Sequence, residues 1–460
     1  MSARDSSSGD RSEATTDGVA DIAVVGLGYV GITLAVTLAD CGFRVLGIEK
    51  RREVVDLLRS GRSPVFEPGI ENLLQEWIGL RLRVVADWPE KLPKVCVICV
   101  STPVQDATQQ PDLRNLAEVS DSIADRIDPD GVVIVRSTVP VGTSRAVVGS
   151  ALWRRSAKVG LAFCPERTVQ GAAIQELRRL PQVIGAHDER SRREATRVFS
   201  RLAVEVVQVP DCDTAEMIKL VNNSHTDVLY SFGNEVALLA QQHGLDPAEV
   251  VRGANEGYTM VSADLAVLRP RIAKPGFVGG GCLSKDPYLL LCGYHSGEER
   301  DRSLFARARK LAEGLPERCA NDFLLGMAEE GIREEQATVL VCGFAYKGYP
   351  ETDDLRGTPA TRALAVLTGR VANVLGQDFR VSREALSAFA VEVVELEEAI
   401  PRVDGILILN DHAGYRDAFS KETVSRLRRP SVVYDSWRVL NREAWPETAA
   451  PRYMSIGYGG

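Results

Sequence analysis

Cys282 is the residue in this 460-residue chain best placed for covalent chemistry. It follows three consecutive glycines in PGFVGGGCLSKDPYLL and precedes Lys285 and Asp286. Glycines there build no core; they bring backbone close to something else, and a neighbouring ammonium favours the thiolate, the form in which cysteine attacks an electrophilic carbon. Read alone, the segment also fits a turn cysteine beside a surface Lys–Asp pair. Cys96 and Cys99 form a CxxC, but inside KVCVICV, an apolar β-branched run in which both are expected to be small core hydrophobes. Nine cysteines scattered without a secretory signal point to reduced thiols, not to a disulfide framework.

A second constellation lies near the start. Gly26, Gly28 and Gly31 form GLGYVG between the strand-like IAVV and an apolar helical stretch, ITLAVTLADCGF. Glycines at this spacing permit a tight turn, a close approach of backbone to a pyrophosphate and close helix-on-strand packing, while the helix N-terminus offers N–H groups to the phosphate. Glu49 ends the next strand-like run, where a carboxylate accepts from both ribose hydroxyls of a bound dinucleotide. It repels a 2′-phosphate, so NAD is expected rather than NADP, with Lys50 and Arg51 as the opposing signal.

The elements that must position these groups follow from patterning. From Asp21 the chain alternates Val/Ile-rich runs with amphipathic stretches: DIAVVGLG, RVLGIEK, RLRVVA, KVCVICV, VVIVRST and KVGLAFCPE are strand-like. This predicts a doubly wound NAD-binding domain over 21–210, a parallel sheet covered by helices. A long helix and further helices are predicted over 211–315, and their apolar surface predicts a homodimer through the central helices. A second strand-rich segment over 316–460 opens with ATVLVCGFAYKG and continues through RVANVLG, GILILN and SVVYDSW. The fold class is therefore α/β, with two Rossmann-like doubly wound domains joined by a long central helix and a helical middle domain. Residues 1–20 read as a disordered leader with no apolar segment, which together with the thiols predicts a cytoplasmic protein. A composition 45% hydrophobic and 26% charged is that of a soluble protein, and no run approaches the roughly 18 apolar residues of a spanning helix. A net charge of −8 and the lack of a basic, aromatic-interleaved stripe argue against nucleic acid and membrane partners. Five histidines, none paired at ligand spacing, predict no metal site; His412 reads as a loop residue.

Six separated segments now carry a specific resemblance: GLGYVG, STP at 101–103, STVPVGT at 137–143, PERTVQG at 165–171, KLVNN at 219–223 with GGGCLSKD at 279–286, and GFAYKGYPETDDLR at 343–356. Over about residues 20–440 the chain resembles the UDP-glucose and UDP-N-acetylhexosamine dehydrogenases. The resemblance implies two hydride transfers that take a sugar primary alcohol to a carboxylate, using NAD twice. The first gives an aldehyde; the Cys282 thiolate adds to it as a thiohemiacetal, whose oxidation gives a thioester that water cleaves. It implies cofactor contacts from Gly26, Gly28, Tyr29, Val30, Gly31, Glu49, Thr102, Pro103, Ser137, Thr138 and Lys285. Lys219 and Asn223 sit four apart on one helix face, where an ammonium and an amide stabilise an alkoxide or oxyanion. Glu166 resembles the general base for water, Thr138 helps place that water, and Asp286 resembles the carboxylate orienting Lys219 or the water. Lys347 and Arg356 resemble contacts to the substrate diphosphate. Arg167 and Gly279 join Glu166, Lys219 and Asn223 around the substrate, and Phe277 is expected to pack on its base or sugar.

Two features bear on which sugar. PERTVQG followed by ELRRLPQVIG is nearer to the N-acetylhexosamine branch than to the glucose branch's NPEFLREG, whereas Thr226 stands where the N-acetylhexosamine enzymes carry Arg. Ser284 also replaces the Pro usual before the Lys–Asp pair. The balance predicts UDP- or dTDP-glucose, with UDP-N-acetylmannosamine or UDP-N-acetylglucosamine as the alternative. A single-step hydroxyacid dehydrogenase needs neither Cys282 nor a second α/β domain, and a non-catalytic nucleotide-sugar binder has no use for Cys282, Lys219, Glu166 and Asp286 together.

Overall fold

The computed structural model describes residues 20–105, 108–256, 271–445 and 450–459. Nearly all of the leader expected over 1–20 lies outside them. Eight strands form the first sheet: β1 (Ile22–Val25), β2 (Val45–Ile48), β3 (Leu82–Val85), β4 (Val95–Ile98), β5 (Val132–Val135), β6 (Gly160–Phe163), β7 (Gln182–Ala186) and β8 (Val206–Gln208). Their order is β3-β2-β1-β4-β5-β6-β7-β8. Ile22 pairs with both Val45 and Val95, so β1 is central, and its four residues are buried as a strand covered on both faces requires. The sheet departs from the expected all-parallel arrangement at one place, where β7 runs antiparallel to β6. The intervening loop carries PERTVQG at the carboxyl end of β6, and the chain turns back there without a crossover.

The second sheet contains β9 (Thr338–Cys342), β10 (Asn373–Gln377), β11 (Glu392–Val393), β12 (Gly405–Ile408), β13 (Val432–Asp435) and β14 (Arg452–Met454), in the order β11-β10-β9-β12-β13-β14. All its pairs are parallel, and the order repeats that of the first six strands of the first sheet. Each sheet has an apolar cluster on either face.

Between the sheets runs the central helix, Cys212–Gln242, 31 residues long and capped by Asp211, whose side chain accepts from the Thr214 N–H. Gly233 lets another segment cross it, since a Cβ there would lie 2.3 Å from the Ala273 carbonyl oxygen. A second long helix, Leu304–Glu329, packs along it and holds Pro316 in its interior. The domain boundary expected at 315 therefore falls inside a continuous helix. Cys282 sits on a short helix, Gly280–Leu283, between the two sheets. Among the described residues no helix is long and apolar enough to cross a membrane.

Candidate active site

The glycine turn after β1 divides its work. Gly26 has φ +86°, and a Cβ on Gly31 would lie 1.8 Å from the Gly26 carbonyl oxygen, so the first is needed for the turn and the third for helix-on-turn packing. A Cβ on Gly28 would meet nothing within 4 Å: the backbone faces open space. Tyr29–Asp40 begins there with no side-chain cap, leaving its first-turn N–H groups for an anion. Glu49 accepts from the Leu27 N–H at 2.9 Å and from Arg51 Nε at 2.9 Å. Burial opposes its charge, but the Arg51 side chain and the Leu27 and Arg51 N–H groups hold its carboxyl below the usual range. Arg51 is thus committed to Glu49, and Lys50 reaches Asn115 Oδ1 at 3.2 Å, so both neighbours that argued for a 2′-phosphate are engaged elsewhere.

Thr102 Oγ1 donates to the Thr138 carbonyl at 2.5 Å and Ser137 Oγ to the Val100 carbonyl at 2.7 Å. These bonds lock the carboxyl ends of β4 and β5 together beside the glycine turn, at the point where strand order reverses between β1 and β4. Pro103 is exposed just beyond, its carbonyl accepting from the Asp112 N–H. An open anion-binding turn, a ribose carboxylate and a reversal crevice fit a dinucleotide. NAD bound there supplies a hydride acceptor.

The central helix lays a buried polar stripe along the other side of the site. Glu216 accepts from the Gly142 and Ser144 N–H groups at 2.5 and 2.8 Å, holding the STVPVGT loop; burial pushes its carboxyl up to about 7. Lys219 is 5% exposed, with no hydrogen bond or ion pair among the described residues. Asn223 Nδ2 donates to Asp286 Oδ2, and Lys285 Nζ donates to Asp286 Oδ1 at 2.6 Å. Asp227 pairs with Arg309 at 2.7 Å, and Asn234 holds both backbone groups of Gly276. The expected pairing of Asp286 with Lys219 is replaced by pairing with Asn223 and Lys285. Lys285 lies at the foot of the cysteine turn, its N–H donating to the Cys282 carbonyl at 3.1 Å and its ammonium held by Asp286.

Cys282 itself is exposed, and the glycines before it serve the second sheet. A Cβ on Gly279 would lie 2.3 Å from the Gly357 carbonyl, one on Gly280 2.6 Å from the Tyr346 ring, and one on Gly281 2.8 Å from the Arg356 guanidinium carbon. The three-glycine run is therefore the contact that brings Tyr346, Lys347 and Arg356 to the thiol. Arg356 is held by Asp354 through both carboxylate oxygens, at 2.6 Å for Nη2 to Oδ2. Lys347 Nζ donates to the Gln170 carbonyl at 2.7 Å, and burial pushes its ammonium down to about 8. Ser284 Oγ donates to the Gly280 carbonyl at 2.6 Å and closes the cysteine turn, a bond a Pro there could not make.

Glu166 lies three residues beyond β6 in a buried ion pair with Arg136, Nη2 to Oε2 at 2.7 Å, while its other oxygen accepts from the Arg167 and Thr168 N–H groups. Burial opposes its charge; Arg136, the Thr168 N–H and, more remotely, Lys219 override it and hold the carboxyl below its usual range. A carboxylate with both oxygens bonded and its proton affinity lowered suits an anionic anchor for the Lys219 charge better than a proton acceptor. Arg167 also reaches the Pro181 carbonyl at 3.3 Å. Phe277 departs from expectation: its ring is buried in the apolar cluster with Ala237, Leu315 and Phe323, so it is a core residue and is not open to a base or sugar. Arg136, Asp227 and Arg309 were not singled out by the sequence, nor was Glu67, whose carboxylate accepts from the Tyr29 hydroxyl and from the Gly171 N–H. The spacing 219, 223, 227 was the available signal for Asp227, and a charged residue closing the run VVIV was the signal for Arg136.

Three family models match the chain in order: the NAD binding domain of the UDP-glucose/GDP-mannose dehydrogenase family over 20–203, its central domain over 213–311 and its UDP binding domain over 340–442. A UDP-N-acetyl-D-mannosamine dehydrogenase of Pyrococcus horikoshii is 31% identical over 426 residues, covering 91% of this chain and 96% of the relative. An NDP-N-acetyl-D-galactosaminuronic acid dehydrogenase of Ralstonia nicotianae is 26% identical, covering 88% and 94%. Among solved structures, the UDP-D-ManNAc dehydrogenase of Pyrococcus horikoshii superposes with a TM-score of 0.84 at 30% identity, covering 95% of this chain and 99% of the other. A UDP-glucose dehydrogenase of Pyrobaculum islandicum gives 0.79 at 26% identity, covering 96% and 99%. The turn after β1, nearly all of the central helix and most of the second sheet each fall within their own matched part, and the chain belongs to the UDP-glucose/GDP-mannose dehydrogenase family.

Proposed function

We propose that the chain oxidises the C6 primary alcohol of a UDP-N-acetylhexosamine, UDP-N-acetyl-D-mannosamine foremost, to the carboxylate. The carrying observation is the similarity, over 91%, 94% and 88% of this chain, to relatives named for N-acetylated sugars. This reverses the preference for plain glucose that rested on Thr226. The Thr226 hydroxyl donates to the Asn222 carbonyl, an intrahelical bond that says nothing about an acetamido group.

The residues divide the chemistry. Lys219, buried and without a partner among the described residues, places its ammonium to stabilise the alkoxide formed when the alcohol loses its proton, and later the oxyanions formed at the same carbon. The alkoxide carbon first loses a hydride and becomes an aldehyde; Cys282 adds to it as thiolate, giving a thiohemiacetal whose loss of a second hydride leaves a thioester; water then adds, the C–S bond breaks and the thiolate departs, each hydride being accepted by a bound NAD and the protons released to solvent. Asp286 fixes Asn223 and Lys285 around the turn, and Glu166 with Arg136 sets the field at Lys219. Lys347 and Arg356 take the diphosphate. A cavity of ≈ 790 Å³ lined by Lys274, Pro275, Ser436 and Arg438 receives the nucleoside end. The exposed apolar positions Met217, Val221, Phe232 and Leu239 on the central helix form the surface through which two copies pair in the cytoplasm.

A panel of UDP-N-acetylmannosamine, UDP-N-acetylglucosamine, UDP-glucose and dTDP-glucose, followed by NADH absorbance, tests the reading. The highest kcat/KM is expected with UDP-N-acetylmannosamine. A preference for either glucose nucleotide refutes it.

A further inference from the structure

We infer that Asp227 and Arg309 form a positioning pair that fixes the turn bearing Cys282; this rests on the covalent role proposed for that thiol. Asp227 lies on the central helix two turns beyond Lys219, on the face that also presents Asn223. Arg309 comes from the second long helix. Both are buried, at 0% and 2% exposure. One nitrogen, Arg309 Nη1, donates both to Asp227 Oδ1 at 2.7 Å and to the carbonyl of Leu283 at 2.8 Å. Leu283 is the residue after Cys282 and the last of the short helix Gly280–Leu283.

That helix is too short to hold itself. Its internal support is the Ser284 Oγ bond to the Gly280 carbonyl at 2.6 Å, the Lys285 N–H to the Cys282 carbonyl at 3.1 Å and the long Ser284 N–H to Gly280 bond at 3.4 Å, all of which tie the turn only to itself. The glycines before it contribute no side chain. Orientation of the thiol must therefore come from outside the turn, and Arg309 supplies a charged donor from below while Tyr346 and Arg356 pack from above. Asp227 holds the guanidinium in place. Asp227 Oδ2 and Arg309 Nε have no hydrogen-bond partner among the described residues, and Glu313 lies 3.7 Å from Nε. A buried pair left this incompletely bonded contributes little net stability, so its use is in geometry.

Because a buried ion pair can be exchanged for apolar residues of similar volume without loss of the fold, the combined change Asp227→Leu with Arg309→Met removes the carbonyl donor while leaving the packing. Two measurements read the result. Amide hydrogen exchange across Gly280–Asp286 is expected to speed up, with Gly26–Gly31 unchanged as internal reference. In single-turnover oxidation of UDP-N-acetyl-D-mannosamine, the first NADH phase is expected to stay within a few-fold of wild type while the second, which needs the thiol, slows on the order of 100-fold. Arg309→Lys keeps a cation whose ammonium can donate to both Asp227 and the Leu283 carbonyl, and partial recovery of the second phase relative to the combined change is expected. Unchanged exchange in the turn, an unaltered second phase, or both phases falling together would overturn the inference. If the wild type itself forms no NADH with this sugar, the substrate reading fails instead, and exchange in the turn still decides the role of the pair.

Discussion

The two sheets share a strand order and a strand-to-glycine turn, yet only one turn is built to receive a phosphate. After β1, Gly28 faces open space and a helix starts at once, at Tyr29. After β9, Gly343 takes the same left-handed conformation, φ +86°, but the next helix begins only at Pro359. The acidic residue beyond the second strand of each sheet tells the same story. Glu49 accepts one N–H of the first turn, that of Leu27, while Asp378 accepts those of both Phe344 and Ala345, at 2.7 and 3.0 Å. The second turn spends its donors internally. The stretch between Phe344 and Thr358 becomes an arm carrying Tyr346, Lys347 and Arg356 to Cys282. One topology thus provides a cofactor cradle in one copy and a substrate arm in the other, and the difference lies in where the helix starts and who consumes the backbone donors.

Steric insertions should separate the two copies most sharply. Gly31→Val puts its Cβ against the Gly26 carbonyl and is expected to abolish NAD binding in calorimetry, while UDP still binds. Gly348→Ala, whose Cβ would lie 1.9 Å from the His412 nitrogen, should do the reverse. Loss of both ligands in either variant would mean the copies do not act separately. The next effect concerns the carboxylates. Glu49→Ala removes a charged acceptor for both the turn and the ribose and is expected to raise KM for NAD about 10- to 100-fold, as loss of a charged hydrogen bond of about 1.5–3 kcal/mol implies. Asp378→Ala should instead lower stability by about 1–3 kcal/mol in urea unfolding, because it removes the acceptor of four backbone N–H groups, those of Phe344, Ala345, Arg380 and Val381, and leave KM for NAD unchanged. A shifted KM there would break the comparison.

The smallest effect is one of pH. Lys347 is a cation below about 8, because burial lowers its ammonium from the ordinary lysine value, and a diphosphate needs that charge. KM for the UDP-sugar should therefore rise as pH passes upward through about 8 in wild type, and Lys347→Arg, which stays charged, should flatten the rise. The same slope in both variants would remove Lys347 from diphosphate binding.

How much of this was legible follows the same division. The cofactor cradle is a matter of backbone, and glycine spacing between a strand and a helix announces it; Gly26, Gly28, Gly31 and Glu49 could be read directly. The proposed covalent site is a matter of side chains meeting across elements. Cys282 and Lys219 stood out by residue type, but Asn223 serving Asp286, Arg136 serving Glu166 and Arg309 serving Leu283 are long-range contacts that no local spacing encodes. The antiparallel β7 was hidden for a related reason, since strand direction depends on whether the chain crosses over or turns back. Phe277 misled because an aromatic beside a Gly-rich loop looks like a ligand contact, and here the second sheet's core absorbs it.

In the proposed reaction the Cys282 thiol is the group that makes a second oxidation possible. Limiting UDP-N-acetyl-D-mannosamine, converted to completion with excess NAD, tests this directly when NADH and sugar are counted together. Two NADH per sugar, falling to at most one in Cys282→Ser, is the expected result; one NADH per sugar in the wild type, or two in the variant, would contradict it.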